Sequence, residues 1–217
     1  MNDLTVTGIV IKAEPIGEYD RRVVLLTKEK GKISVFARGA LRPNNRFVAS
    51  TNPFVFGNFE LYAGPNSYSL SKVEVKDYFE SFRTNLDLTF YATYFLEIAD
   101  YYGRENADNI GLMRLLYVAL TKLSDESISN DFVKTVFEMK AIMLEGEFPE
   151  IPPSANLPES GRKAVTYVYQ SKPANAFSFK LSDETFEKLE QQVDIICKNT
   201  FEREFNSLAM IQFAKQT

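Results

Sequence analysis

Three arginines, Arg38, Arg42 and Arg46, follow one another at intervals of four in the segment GKISVFARGALRPNNRF, residues 31–47. A guanidinium is a planar fork of donors that matches phosphate oxygens, so three of them leaving one strand end read as a phosphate-binding surface. Lys32 on the same segment and Arg21 and Arg22 on the preceding one add to it. Residues 12–46 hold 9 basic and 4 acidic residues, a net of +5, within a chain whose formal net charge is -4. Residues 1–80 carry +2 and the remainder -6. A local patch, rather than the overall balance, decides whether a polyanion is held. Phe36 falls on the exposed face by alternation and offers a ring for base stacking, as do Tyr19, Tyr68 and Phe47; for the last three, burial in a core is the competing reading. For the cations the competing reading is a solvated loop with no partner.

The surrounding elements must hold that surface. Ile33, Val35 and Ala37 alternate with Ser34, Phe36 and Arg38, the period of a half-buried strand. Gly39 breaks it, and Pro43-Asn44-Asn45 marks a loop. Residues 4–12 are rich in β-branched side chains around Gly8, where a bulge or sharp bend is expected. Residues 23–26 form a continuous apolar run that reads as a strand covered on both faces. Residues 54–62 and 68–75 supply two more strands, joined by a turn at Gly64-Pro65-Asn66. In the last, the apolar phase slips between Leu70 and Val73, which predicts a bulge. Five short strands in about 75 residues, with interior glycines, fit a five-stranded OB-fold barrel, an SH3-like barrel being the nearest alternative.

From residue 85 the period becomes helical. Leu88, Tyr91, Ala92, Phe95, Ile98, Ala99 and Tyr102 share a face, with Gly103 placed to end the helix. Asp108 and Asp131 are placed to cap the next two, and Gly146 to end the third. Prolines then dominate residues 149–158, residues 165–169 read as a strand, Ser182 caps a further helix, and Phe201, Phe205, Leu208 and Ala209 mark the last. The expected organisation is an α+β chain: residues 1–80 a nucleic-acid-binding barrel, 81–148 a helical bundle, 149–217 a small C-terminal α/β region. Six aromatics in residues 90–102 read as core, with a partner groove as the secondary reading.

The chain has no histidine and one cysteine, Cys197. That removes Cys/His zinc sites and histidine-based or Ser-His-Asp catalysis, and it leaves no intramolecular disulfide. Phosphate loops, dinucleotide fingerprints and nucleophile elbows are absent from the sequence. No cofactor and no enzymatic activity are expected. Without a signal-like start or an apolar run long enough to span a bilayer, a cytoplasmic protein without membrane association is the expectation.

The order of motifs resembles the bacterial recombination mediator family RecO. The resemblance rests on Gly8-Ile9-Val10, Gly17-Glu18-Tyr19-Asp20-Arg21, Ala37-Arg38-Gly39-Ala40, Arg42-Pro43, Arg46, Glu60-Leu61-Tyr62, residues 144–149 and the ending REFNSLAMI. The most specific piece is Ala-Arg-Gly-Ala-x-Arg-Pro-x-x-Arg. The resemblance implies an OB-fold, a helical bundle and a C-terminal region that in many members holds a four-cysteine zinc site. This chain lacks those cysteines. It further implies a non-enzymatic role in DNA repair by the RecF pathway: binding single- and double-stranded DNA, annealing complementary strands, and with RecR helping RecA load on DNA coated by single-strand-binding protein. That protein's acidic, apolar tail would dock in the helical region, where Arg114, Lys122, Lys134 and Lys140 are the available cations. The implied DNA contacts are Arg21, Lys32, Arg38, Arg42 and Arg46, in a nucleoid-associated monomer. An RNA-binding or ribosome-associated barrel protein, a protein–protein adaptor, and a carboxylate-magnesium nuclease are the alternatives.

Overall fold

A computed structural model describes residues 2–65 and 67–215 of the 217-residue chain. Asn66, expected in a turn, lies outside the described residues. Five strands come first, β1 (Asn2–Ile16), β2 (Asp20–Thr27), β3 (Gly31–Ala37), β4 (Phe56–Ala63) and β5 (Tyr68–Asp77). They close into a barrel in the order β1-β2-β3-β5-β4, with β3 and β5 parallel and every other neighbouring pair antiparallel. A four-residue helix, α1 (Phe47–Ser50), sits between β3 and β4. This closed five-stranded barrel is the OB-fold arrangement.

Alternation fills the barrel: Val6, Val10, Val23, Leu25, Ile33, Val35, Phe59 and Leu61 point inward, and Phe47 of α1 joins them. Phe47 is therefore core rather than a stacking platform. Gly8 of β1 lies directly opposite Gly57 of β4. A Cβ on Gly8 would stand 2.6 Å from the Leu26 carbonyl oxygen and one on Gly57 2.4 Å from that of Glu74. The glycines thus let strands crowd where the barrel coils; the bulge in β1 lies further on, between Val10 and Lys12. The phase slip in β5 is a bulge at Ser71, the pairing stepping from Glu60↔Lys72 to Leu61↔Leu70.

The chain continues as α2 (Ser81–Thr84), α3 (Leu86–Tyr102), α4 (Ile110–Leu123), α5 (Asn130–Leu144), α6 (Glu159–Gln170), α7 (Asp183–Thr200) and α8 (Asn206–Ala214), with single 3-10 turns at Pro153–Ala155 and Pro173–Asn175. It divides into two compact units. One comprises the barrel with Leu96–Met113; the other comprises Asn85–Phe95 with the residues from Arg114 onward. In the first unit, residues of the 96–113 segment back onto the apolar run of β2. Gly103 packs near Leu26 and Lys32, the Lys32 amide donates to the Arg104 carbonyl at 3.0 Å, and Gly31 bridges to Glu105. That cover is why residues 23–26 are buried on both faces.

Three expectations are corrected. Residues 165–169 are helix, part of α6, and among the described residues no strand follows β5. The run is β-branched and aromatic, but Gly161, Ala164 and Val168, buried at helical spacing, set its period. Asp131 does not cap α5, whose N-cap position is Ser129; its carboxylate accepts from the Tyr91 hydroxyl at 2.6 Å and pairs with Lys215 at 2.5 Å. Phe201 and Phe205 precede α8 rather than lying in it, Phe205 being its N-cap residue. Ser182 does cap α7, accepting from the Thr185 amide at 3.4 Å. Gly146, with φ +77°, closes α5 in the left-handed region that favours glycine. Among the described residues no helix is long and apolar enough to cross a membrane.

Candidate nucleic-acid interface

β3 leaves the barrel at Ala37 and enters a run of tight turns that presents the arginines. The Gly39 amide donates to the Asp20 carboxylate at 2.7 Å, Leu41 N to Tyr19 O at 2.9 Å, Arg42 N to Gly39 O at 3.0 Å, and Asn45 N to Arg42 O at 3.1 Å. Asn45 Oδ1 accepts from the Phe47 amide at 2.8 Å and starts α1. Gly39, at φ +67°, takes the left-handed conformation this turn needs. The loop is therefore fixed by its own main chain and by Asp20, and Arg42 is laid over the Tyr19 ring, 4.8 Å from guanidinium carbon to ring centre. Among the described residues Arg38 and Arg42 make no ion pair. Both point to solvent.

The other cations placed in this set by sequence sit differently. Arg21 is partly buried and donates to Thr51 Oγ1 at 2.8 Å and Asn52 Oδ1 at 2.9 Å, tying β2 to the end of α1. Burial lowers its pKa without threatening its charge. Lys32 donates to the carbonyl and the carboxylate of Asp100 at 2.7 and 3.1 Å. Arg46 donates to the Ser71 carbonyl at 2.6 Å, satisfying the bulge in β5, with its guanidinium over the Phe47 ring at 4.8 Å. Arg22 is exposed, donates to Ser34 Oγ at 3.2 Å, and faces Glu14 across the β1–β2 pair. The structure thus brings Arg22, Phe36, Arg38 and Arg42 to the barrel surface and engages Arg21, Lys32 and Arg46 within the protein. Of the aromatics, Phe36 is 39% and Tyr19 41% exposed, while Tyr68 packs against the core.

One residue that charge does not mark, and that the sequence offers only as part of the Glu60-Leu61-Tyr62 motif, belongs with these. Tyr62, 44% exposed, lines a cleft of about 680 Å³ together with Arg38, Pro65, Ser67 and Ser69. The signal was present: Phe59 and Leu61 alternate inward, which turns Tyr62 out.

The second unit turns three of its cations, Lys134, Lys140 and Arg162, to partners inside the protein. Lys134 is buried and pairs with Glu138 at 3.2 Å and Asp194 at 2.9 Å. Tyr94 donates to Glu138 at 2.7 Å. Burial alone would pull the Lys134 ammonium down, but Glu138 and Asp194 outweigh it and hold it above its ordinary value. Burial also pushes the Tyr94 phenol well up, with the Glu138 charge adding to it. Lys140 donates to the carbonyls of Val168 and Tyr169 at 2.9 and 3.0 Å, and Arg162 to those of Ile151 and Pro152 at 2.9 Å each. Of the cations noted in this region, Arg114 is exposed and Lys122 half-buried. The aromatics of α3 are mainly core: Tyr91, Tyr94, Phe95 and Tyr102 are buried, Phe90 and Tyr101 half-buried.

A closed OB barrel with an arginine loop on its surface, followed by a helical unit in which Lys134, Lys140 and Arg162 are engaged internally, defines a two-part barrel-and-helix protein. Residues 1–79 match the family model described as Recombination protein O N terminal, and residues 83–152 the one described as Recombination protein O C terminal. The chain is similar to the DNA repair protein RecO of Acetivibrio thermocellus, at 27% identity over 98% of this chain and 97% of that one. It is also similar to the DNA repair proteins RecO of Shouchella clausii and Bacillus subtilis, each at 34% identity over 66% of this chain and 56% of theirs. In those two comparisons the match spans little more than half the relative's length. The chain belongs to the RecO family of DNA repair and recombination proteins.

The zinc site found in many members does not fit these residues. Cys197 is the single cysteine and is buried, its thiol pushed well up by burial, and among the described residues no group of three or more Cys, Asp or Glu could hold a metal. The segment from residue 149 to α6 is tied instead by Arg162, and the end of α6 by Lys140, to main-chain carbonyls.

Proposed function

We propose that this protein is a non-enzymatic DNA-binding recombination mediator of the RecF pathway. It binds single- and double-stranded DNA through the barrel, anneals complementary strands, and with RecR helps RecA replace single-strand-binding protein, whose acidic tail docks in the helical unit. Its place is the cytoplasm, at the nucleoid, as a monomer in three segments, 1–80, 81–148 and 149–217. The observation that carries the reading is the pair Arg38 and Arg42, held at the barrel surface with no carboxylate in ion-pair range among the described residues. Two unneutralised guanidiniums on an acidic protein match a phosphate backbone, and phosphate contacts give tight, salt-sensitive, largely sequence-independent binding. Arg22 and Phe36 lie on the same surface. Arg21, Lys32 and Arg46 contribute by fixing the loop and barrel, and Arg21 and Arg46, bound only to neutral acceptors, add their charge at longer range.

The test is an annealing assay with complementary oligonucleotides, wild type beside Arg38→Glu/Arg42→Glu, at several salt concentrations. Accelerated annealing that weakens with salt and is lost in the variant supports the reading. Equal annealing by both proteins, or none by either, overturns it. A metal-dependent loss of the oligonucleotides would move the protein into the nuclease class.

A further inference from the structure

The strand register places one residue from each strand in a single row around the outside of the barrel. Arg22 of β2 pairs with Phe36 of β3, Phe36 with Ser69 of β5, Ser69 with Tyr62 of β4, and Tyr62 with Asp3 of β1. Phe36 and Tyr62 are two strands apart, roughly 10 Å. That is too far for the rings to share one base and leaves the small Ser69 between them. The Tyr62 side chain makes no ring contact or hydrogen bond among the described residues, and Arg38, Pro65, Ser67 and Ser69 line the same cleft. The row is also graded in charge: Arg22 stands at one end, Arg38 beside its centre and Asp3 at the other end.

We propose that Tyr62 is a stacking platform for an unpaired base, with the Ser67 and Ser69 hydroxyls beneath the base edge and Arg38 on the adjoining phosphate, and that Phe36 takes a second base across Ser69. The occupant is single-stranded DNA, because a duplex hides the base faces that two separated aromatic rings need. This rests on the reading of the barrel as the nucleic-acid interface and adds to it a residue and a selectivity: the arginines hold either form, and the Phe36–Tyr62 row favours the single strand. A tyrosine facing solvent on a strand is ordinary by propensity. The cleft beside it, lined by Arg38 as well as by Ser67 and Ser69, is what suits it to a base.

The experiment is fluorescence-anisotropy binding of the full chain to a labelled oligothymidine and to a duplex of equal length, for wild type, Tyr62→Ala, Tyr62→Phe and Arg38→Glu/Arg42→Glu. Tyr62→Ala is expected to weaken single-strand binding roughly 5- to 150-fold, the span for removing the ring under one stacked base. Duplex binding and the salt slope should stay unchanged, and Tyr62→Phe should retain wild-type affinity. If Tyr62→Ala leaves single-strand binding intact, or weakens both DNA forms equally, while the arginine variant loses binding, the stacking role is overturned and the interface reading stands. If the arginine variant binds as wild type does, the interface reading fails and takes the stacking role with it.

Discussion

The barrel's arginine loop and the interior of the helical unit contain the same kinds of cationic side chain and use them oppositely. On the barrel, Arg38 and Arg42 emerge from a loop braced by main-chain hydrogen bonds, meet no carboxylate among the described residues, and face water. In the helical unit, Lys134 is enclosed by Glu138 and Asp194, while Lys140 and Arg162 are used up on carbonyls. A cation is available to an external phosphate only where the fold supplies no internal acceptor. The division holds within the barrel as well: Lys32 and Arg21 are engaged although they lie on neighbouring strands of the same sheet.

The strongest way to break this contrast is to remove an internal cation. Lys134→Met strands the fully buried Glu138 carboxylate, and losing one partner of a buried pair costs about 3–5 kcal/mol. Urea unfolding should register that loss, and Lys134→Met/Glu138→Leu should recover most of it. A Lys134→Met protein as stable as wild type would mean that the cluster is open to water and the lysine free.

The same cluster gives a signed pH dependence. Tyr94 and Lys134 both have folded pKa values raised above their unfolded ones. Their contribution is therefore complete below the unfolded values, near pH 10, and is lost as pH rises above them. Each such group steepens the fall by up to about 1.4 kcal/mol per pH unit. Stability measured between pH 9 and 11 should decline, and more shallowly in Tyr94→Phe; a slope unchanged in that variant would count against a buried phenol. Next in size is Arg162→Met, which frees the carbonyls of Ile151 and Pro152. Hydrogen bonds from a charged donor contribute about 1.5–3 kcal/mol. The loss should appear as earlier proteolysis within residues 149–158, and unchanged cleavage would show that the clamp does not hold this segment.

The barrel was legible from sequence because its determinants are local: period-two alternation, interior glycines, and the phase slip that becomes the Ser71 bulge. The arginine loop was legible for the same reason. Which cations remain free was not. Lys32 meets Asp100 across 68 residues of chain, and Lys134 meets Asp194 across 60. No short window of sequence contains both partners. The helix at residues 165–169 was not legible because a five-residue β-branched and aromatic run fits either period, and only burial at Gly161, Ala164 and Val168 decides between them. Tyr62 was within reach through simple alternation, but it carries no charge to set it apart from other outward residues of β4.

The smallest expected effect on stability is the most telling for the contrast. Arg38→Glu/Arg42→Glu removes no ion pair and no buried contact, so unfolding free energy should move by no more than about 0.5 kcal/mol, the usual range for surface substitutions. The Arg42 contact with Tyr19 is exposed and falls within that range. DNA binding by the same preparation should fall sharply, and the slope of log affinity against log salt should flatten by roughly 0.7 for each single-strand phosphate that is no longer neutralised. Stability and binding then separate in the barrel and not in the helical unit, where Lys134→Met lowers stability first. A double charge reversal that destabilised the barrel as much as Lys134→Met destabilises the helices would mean that the arginine loop, too, is held by its cations, and the availability of Arg38 and Arg42 to phosphate would no longer follow from the fold.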